Sequence, residues 1–218
     1  MFASRTPSAL LLSVCVAASA GGQEDSQSTR LFNGKNLDGW TCYLGDSDVP
    51  CDQVWSVKDG VLHCTGKPTG YLITRRDDFA DYRLSLQWRW PGKPGNNGVL
   101  VHATTKNELG VWPKSLEVQL QHEHAGDFWV IGTEIDMQNG EQRRDGRRHL
   151  NLTDDSEKPL GQWNTMEIVC RGDRVTVRVN GELVNEAHDV SQQQGAIALQ
   201  SEGAPIEYRE IVLSPLEP

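Results

Sequence analysis

Apolar residues recur at every second position through most of this chain, and no segment keeps a helical 3.6-residue period for three turns. Successive side chains of an extended strand point to opposite faces, so a chain written this way folds as strands with one buried face. Residues 83–90, Arg-Leu-Ser-Leu-Gln-Trp-Arg-Trp, show the pattern cleanly, as do residues 115–121 and Met166-x-Ile168-x-Cys170. Asp59-Gly60 divides residues 53–57 from 61–65, and Asn180-Gly181 divides Val175-x-Val177-x-Val179 from Glu182-Leu183-Val184. These dipeptides supply the positive φ of a two-residue hairpin turn, so both places predict antiparallel pairs. Roughly a dozen short strands, with Gly, Asn, Asp and Pro between them, predict an all-β chain: a two-sheet antiparallel β-sandwich of jelly-roll type. A chain of 218 residues has material for one such core.

Residues 1–20 are expected to be a secretory signal, in which Arg5 precedes the apolar run 9–17 and Ala18-Ser19-Ala20 forms a small-x-small cleavage site. No later segment approaches the ~20 apolar residues a spanning helix requires, so no membrane span is expected. Cys15 follows Leu12-Ser13-Val14, and the bulk of Val14 argues against lipoprotein acylation there. Residues 21–30 then form a flexible lead, residues 31–218 form the sandwich, and the expected location is secreted or periplasmic. The remaining Cys42, Cys51, Cys64 and Cys170 permit two disulfides in such a compartment, and three connectivities. Cys42 with Cys51 closes a short turn-rich loop and is the favoured pair. The absence of any Cys-x-x-Cys weakens a zinc reading. A net charge of −9 excludes a general nucleic-acid binder, which needs a cationic field for phosphates, and disfavours an anionic membrane surface.

Alternation also says which polar residues stand together. In residues 115–121, Leu116, Val118 and Leu120 take the core side, leaving Ser115, Glu117, Gln119 and Gln121 in a row opposite. In residues 195–202, Ile197 and Leu199 turn inward, leaving Ala196, Ala198, Gln200 and Glu202 outside. If these strands share a sheet, carboxyl and amide groups beside small alanines make a groove suited to a hydroxyl-rich ligand. For either strand alone, polar residues facing water is the plainer reading. Of the seven tryptophans, Trp88, Trp90 and Trp163 suit the core, whereas Trp112 and Trp129 are expected in loops. Trp129 there is either a platform for the C–H face of a sugar or an ordinary loop anchor.

Other residues offer chemistry with less context. His102 shares the side of Leu100 and is either a packed imidazole or a titratable group at a strand end. His122 and His124, alternate positions of one expected strand, are candidate metal ligands or a solvated pair. Arg143-Arg144-Asp145-Gly146-Arg147-Arg148 reads as a solvated hairpin tip, with an anionic ligand as the second reading. No nucleophile elbow, Walker loop, dinucleotide fingerprint or His-Glu-x-x-His is present, so no cofactor is indicated by motif.

Several stretches taken together are more specific. Residues 31–40, Leu-Phe-Asn-Gly-Lys-Asn-Leu-Asp-Gly-Trp, are followed in order by residues 55–62, Gly95-Asn96-Asn97-Gly98-Val99, Leu116-Glu117-Val118-Gln119, Gly161-Gln162-Trp163-Asn164 and Gly195-Ala196-Ile197-Ala198-Leu199-Gln200. Over residues 31–214 the chain closely resembles the 3-keto-disaccharide hydrolase family. The resemblance implies a concanavalin-like β-sandwich and action on glycosides already oxidised at C3 by a partner oxidoreductase. A ketone at C3 acidifies the C2 hydrogen, so a base can form an enolate that expels the C1 substituent, and water then adds. That chemistry needs a base, an acid and an enolate stabiliser. The resemblance points to Glu117 as general base or ligand-orienting carboxylate and Glu202 as the second acid–base group, with His102 or Arg209 at the enolate. With the alternation and the stacking argument above, Asn97, Gln119, Trp129, Gln200 and Arg209 are the expected substrate contacts. A divalent metal is the alternative enolate stabiliser, with Glu117 and His122 or His124 as ligands. The chain departs from the family pattern at His102, near His122 and at Glu202, where many members carry Arg, Asp and His. By parity Arg209 is buried with Ile211 and Leu213 unless a bulge intervenes.

Two functions therefore stand side by side: a secreted hydrolase or lyase of 3-keto-glycosides, and a non-catalytic carbohydrate-binding module using the same groove. Fold resemblance by itself does not choose between them.

Overall fold

Sixteen strands run through residues 28–216, the part of the chain described by the computed structural model. The expected signal at residues 1–20 and the lead as far as residue 27 lie outside the described residues. In chain order the strands are β1 (Thr29–Arg30), β2 (Trp40–Leu44), β3 (Trp55–Lys58), β4 (Val61–Cys64), β5 (Gly70–Thr74), β6 (Tyr82–Arg89), β7 (Gly98–Ala103) and β8 (Ser115–Gln119). They continue as β9 (Phe128–Ile131), β10 (Arg144–Asp145), β11 (Arg148–His149), β12 (Asn164–Arg171), β13 (Arg174–Val179), β14 (Glu182–Ala187), β15 (Ala196–Ser201) and β16 (Ile206–Pro215). A single helical turn, α1 (Gly140–Arg143), precedes β10. Among the described residues no helix is long and apolar enough to cross a membrane.

All pairings between these strands are antiparallel, in two sheets. The first runs β14-β13-β12-β6-β16-β4-β3, with β1 on β16, and the second runs β10-β11-β9-β8-β7-β15-β5-β2. Alternation decides what lies between them. Leu84, Leu86 and Trp88 of β6, Met166 and Ile168 of β12, Leu116 and Val118 of β8, and Ile197 and Leu199 of β15 belong to one buried cluster. Trp88 is wholly enclosed there, and truncating it to Ala is expected to cost about 3–5 kcal/mol. Both expected hairpins form: Asp59 and Asn180 take φ 51°, and the glycines after them complete the turns of β3–β4 and β13–β14.

Two irregularities re-aim side chains. In β16 the register shifts between Arg209 and Val212, and Glu210 takes φ 50°. Ile206 and Tyr208 before the shift and Ile211 and Leu213 after it therefore all reach the core. Arg209 keeps the outer face of the first sheet, its guanidinium 4.1 Å from the ring centre of Trp163. Trp163, expected in the core, is thus a half-buried outer residue gripped by Arg89 and Arg209. At the end of β7, His102 takes φ 52° beside a register shift in β15. The twist carries its imidazole away from the face of Leu100 to a buried position edge-on to Tyr82.

Cys42 and Cys51 form a disulfide with Cα atoms 6.2 Å apart, whereas Cys64 and Cys170 are buried free thiols. Two further expectations are corrected. Trp129 lies within β9 rather than in a loop. His122 and His124 lie on a turn with Glu123 at φ 69°, not on a strand.

Candidate active site

Strands β9, β8, β7 and β15 lie side by side in the second sheet, so the two polar strips expected from alternation do share a face. Their outer side chains surround a cavity of about 210 Å³ lined by Asn96, Trp112, Glu117, Gln119, Trp129 and Glu202, among others. It is smaller than the roughly 300–1,000 Å³ of drug-sized ligand sites, which suits one sugar ring.

Glu117 stands on the middle strand of this face with little exposure. Burial, then the charge of Glu202, push its carboxyl up to about 8, against the smaller opposing pull of Gln200 and Arg147. At neutral pH it therefore holds its proton, which suits a general acid rather than the general base expected at this position. Space for it comes from Gly98: a Cβ there would lie 2.7 Å from an oxygen of Glu117 and 2.7 Å from the amide oxygen of Gln200. Gln200 is fully buried beside Glu117, and neither end of its amide has a well-formed hydrogen bond.

Glu202 follows β15 and reaches the same cavity from the other side. Asn96 donates to its carboxylate at 2.9 Å. Its backbone N–H is held at 2.9 Å by the side-chain oxygen of Asn97, whose amide nitrogen in turn donates to the carbonyl of Ala204. Asn97 is thus a fully buried clamp on the Glu202 backbone rather than a wall of the cavity. Burial raises the Glu202 carboxyl, and Arg147 lowers it. Two further polar atoms here, the oxygen of the Asn96 amide and the indole N–H of Trp129, are buried without partners. Buried polar groups are nearly always satisfied, and such a cluster fits a site shaped for hydroxyl groups.

The cationic hairpin resolves into distinct roles. Arg143 bonds the Leu150 carbonyl and Asn185, and Arg148 pairs with buried Asp127 at 2.6 Å. Arg147 alone of the hairpin lines the cavity, its guanidinium 5.3 Å from the ring centre of Trp129. Reading the stretch as a solvated tip missed this residue; its cluster of cations in an acidic chain was the available signal.

The remaining candidates lie elsewhere. Arg209 sits on the outer face of the opposite sheet, donating to Gln87 at 2.7 Å. Burial lowers the pKa of His102, and its ring nitrogens lie 2.9 Å and 3.3 Å from the carbonyls of Gln192 and Ala80. His122 and His124 line a separate cavity and face their own carboxylates, Glu157 at 3.3 Å and Asp154 at 3.1 Å. Glu117 is not among the residues of that cavity, so these three do not form one ligand set. The described His and carboxylate groups close enough to share an ion are Asp136, His188 and Asp189, outside the Glu117 cavity.

A β-sandwich with two carboxyl groups and indole rings around a sugar-sized cavity on one sheet face defines a carbohydrate-active, hydrolase-like protein. Comparison makes the assignment particular. The chain belongs to the 3-keto-disaccharide hydrolase family, whose model, described as a 3-keto-alpha-glucoside-1,2-lyase-like domain, matches residues 27–214. No curated protein matches it. Among solved structures it is similar to a glycosyl hydrolase candidate from Parabacteroides distasonis ATCC 8503, at 19% identity and TM-score 0.64 over 87% of this chain and 94% of that one. It is also similar to a carbohydrate-binding module from Bacillus subtilis, at 11% identity and TM-score 0.58 over 81% and 95%. A third likeness is to a β-glucanase from Bacillus licheniformis, at 11% identity and TM-score 0.58 over 89% and 100%. At these identities the likeness is one of fold.

Proposed function

We propose that the protein cleaves 3-keto-glycosides by elimination and rehydration, with Glu117 and Glu202 as the acid–base pair. The observation that carries this is a buried carboxyl, Glu117, in one small cavity with a second carboxyl, Glu202, that Asn96 holds by a hydrogen bond; burial pushes the pKa of Glu117 up to about 8. Glu202 takes the proton from C2, and the electrons move toward the C3 ketone. The enolate then expels the oxygen substituent at C1, which takes the proton of Glu117. Arg147, whose side chain lines the cavity, is the donor available to the enolate oxygen. Water adds to C1 as Glu117 accepts its proton, and Glu202 returns its own proton to C2. Both carboxyl groups regain their starting states and the net reaction is hydrolysis.

The substrate class implies an oxidoreductase acting upstream at C3 of the sugar. The Cys42–Cys51 bond supports an oxidising compartment, and hence a secreted or periplasmic site of action.

The test offers a 3-keto-disaccharide and its unoxidised parent to the wild type and to Glu117→Gln, and follows aglycone release by chromatography. Release from the keto sugar alone, reduced at least about 100-fold in the variant, is the expected result. Equal release from both sugars would replace elimination by ordinary glycoside hydrolysis. Sugar binding without release from either would make the protein a carbohydrate-binding module.

A further inference from the structure

The face that carries Glu117 extends well beyond its cavity. Trp129, Glu117, Leu100, Ala198, Ile73 and Thr41 stand opposite one another on six successive strands from β9 to β2, in one register row. Their sequence neighbours, Leu116 and Val118, Val99 and Val101, Ile197 and Leu199, point into the core, so the row lies on the outer face. Past Ala198 it enters a second cavity of about 580 Å³, lined by Thr41, Tyr43, Ile73, Arg75, Asp77 and Lys106, among others. Three strand steps of about 4.8 Å put Ile73 about 14 Å from Glu117, farther than one sugar ring extends.

An aromatic ridge joins the two cavities. Trp112 lines the first and Tyr43 the second, and Tyr71 lies between them, with ring centres 6.5 Å from Trp112 and 5.3 Å from Tyr43. Tyr71 and Leu100 form the buried base of this ridge, Trp112 and Tyr43 above it are half-buried, and the exposed Lys106 side chain lies over the Tyr43 ring, its Nζ 3.9 Å from the ring centre, where a sugar would take its place. The far cavity has polar groups to spare. Arg75 uses one N–H on the Trp40 carbonyl at 3.3 Å, and Asp77 has no side-chain hydrogen bond or ion pair among the described residues. Within one cavity a carboxylate accepts from a sugar hydroxyl and a guanidinium donates to one, while an aromatic face takes the C–H side of a pyranose ring.

We infer that the second cavity is a leaving-group subsite that binds a neutral oligosaccharide aglycone laid across the Trp112–Tyr71–Tyr43 ridge. The leaving-group role rests on the acid–base reading of Glu117; the binding of oligosaccharide does not.

Isothermal titration of unoxidised neutral gluco-oligosaccharides of increasing length into wild type, Tyr43→Ala and Asp77→Asn tests the binding. Affinity is expected to rise about tenfold or more from one ring to three, and both variants are expected to lose that gain while remaining folded, with Asp77→Asn keeping the wild-type melting temperature. Affinity independent of length, or unaltered in both variants, overturns the inference. A parallel turnover series uses 3-keto-glucosides with methyl, glucosyl and maltosyl leaving groups. Cleavage of the methyl compound with no gain from the longer ones defeats the subsite and leaves the Glu117 chemistry standing. No cleavage of any, with length-dependent binding intact, defeats the Glu117 chemistry and upholds the oligosaccharide site.

Discussion

Glu117 of β8 and Gln200 of β15 meet across the intervening β7 because residue 98 there is glycine: each has an oxygen 2.7 Å from where a Cβ would stand. Gly98→Ala is expected to leave the fold intact, since the atoms that must give way are the ends of flexible side chains. It would displace the carboxyl by a fraction of an ångström to an ångström, and kcat/KM is expected to fall about 100-fold. Wild-type activity in the folded variant would remove Glu117 from the chemistry.

The acidity of Glu117 has a consequence for stability. Burial, then Glu202, raise its pKa in the folded chain from 4.5 to about 8. The unfolded chain loses this proton near 4.5 and the folded chain only near 8, so the unfolded state binds fewer protons in that window and stability falls as pH rises through it. The contribution is full below about 4.5 and gone above about 8, on the order of a few kcal/mol. Melting curves across this range are expected to show the wild type losing more stability than Glu117→Gln, in which only the other raised carboxyl groups, Glu202 among them, still contribute.

Arg147 favours the charged form of both carboxyl groups. Arg147→Met is therefore expected to move both limbs of the kcat/KM profile to higher pH and to lower its maximum roughly tenfold, through the lost donor to the enolate. A profile that falls in height without moving would limit Arg147 to substrate binding.

Cys42 and Cys51 lie 9 residues apart, and cross-linking so short a loop stabilises by about 2–3 kcal/mol. Reduction is expected to lower the melting temperature by several degrees while free Cys64 and Cys170, both buried, resist labelling until unfolding.

Arg209 faces away from the cavity, on the opposite sheet. Arg209→Ala is expected to keep kcat/KM within about twofold and to cost about 1 kcal/mol through lost contact with Trp163 and Gln87. A large loss of kcat with unchanged stability would return it to the site.

The row that makes the site was legible because a period of two assigns faces without reference to anything distant. Glu117, Gln119, Gln200 and Glu202 were placed correctly relative to Leu116, Val118, Ile197 and Leu199 by that rule alone. It failed where a residue took positive φ. Glu210 turned Arg209 outward, His102 turned itself toward Tyr82, and Glu123 broke the expected strand at His122 and His124. Such bulges depend on the partner strand, which local spacing does not contain.

By itself, then, the sequence determined the sandwich, its hairpins at Asp59-Gly60 and Asn180-Gly181, and the inward and outward sides of each regular strand, since these are properties of neighbouring residues. Only the tertiary structure decided that β8 and β15 flank one strand, that Gly98 leaves room for two oxygens, and that Arg147 closes the cavity while Arg209 does not. Burial and the charge of Glu202 act on Glu117 through space, from a residue 85 positions away, so its acidity could be set only once the sheet had brought them together.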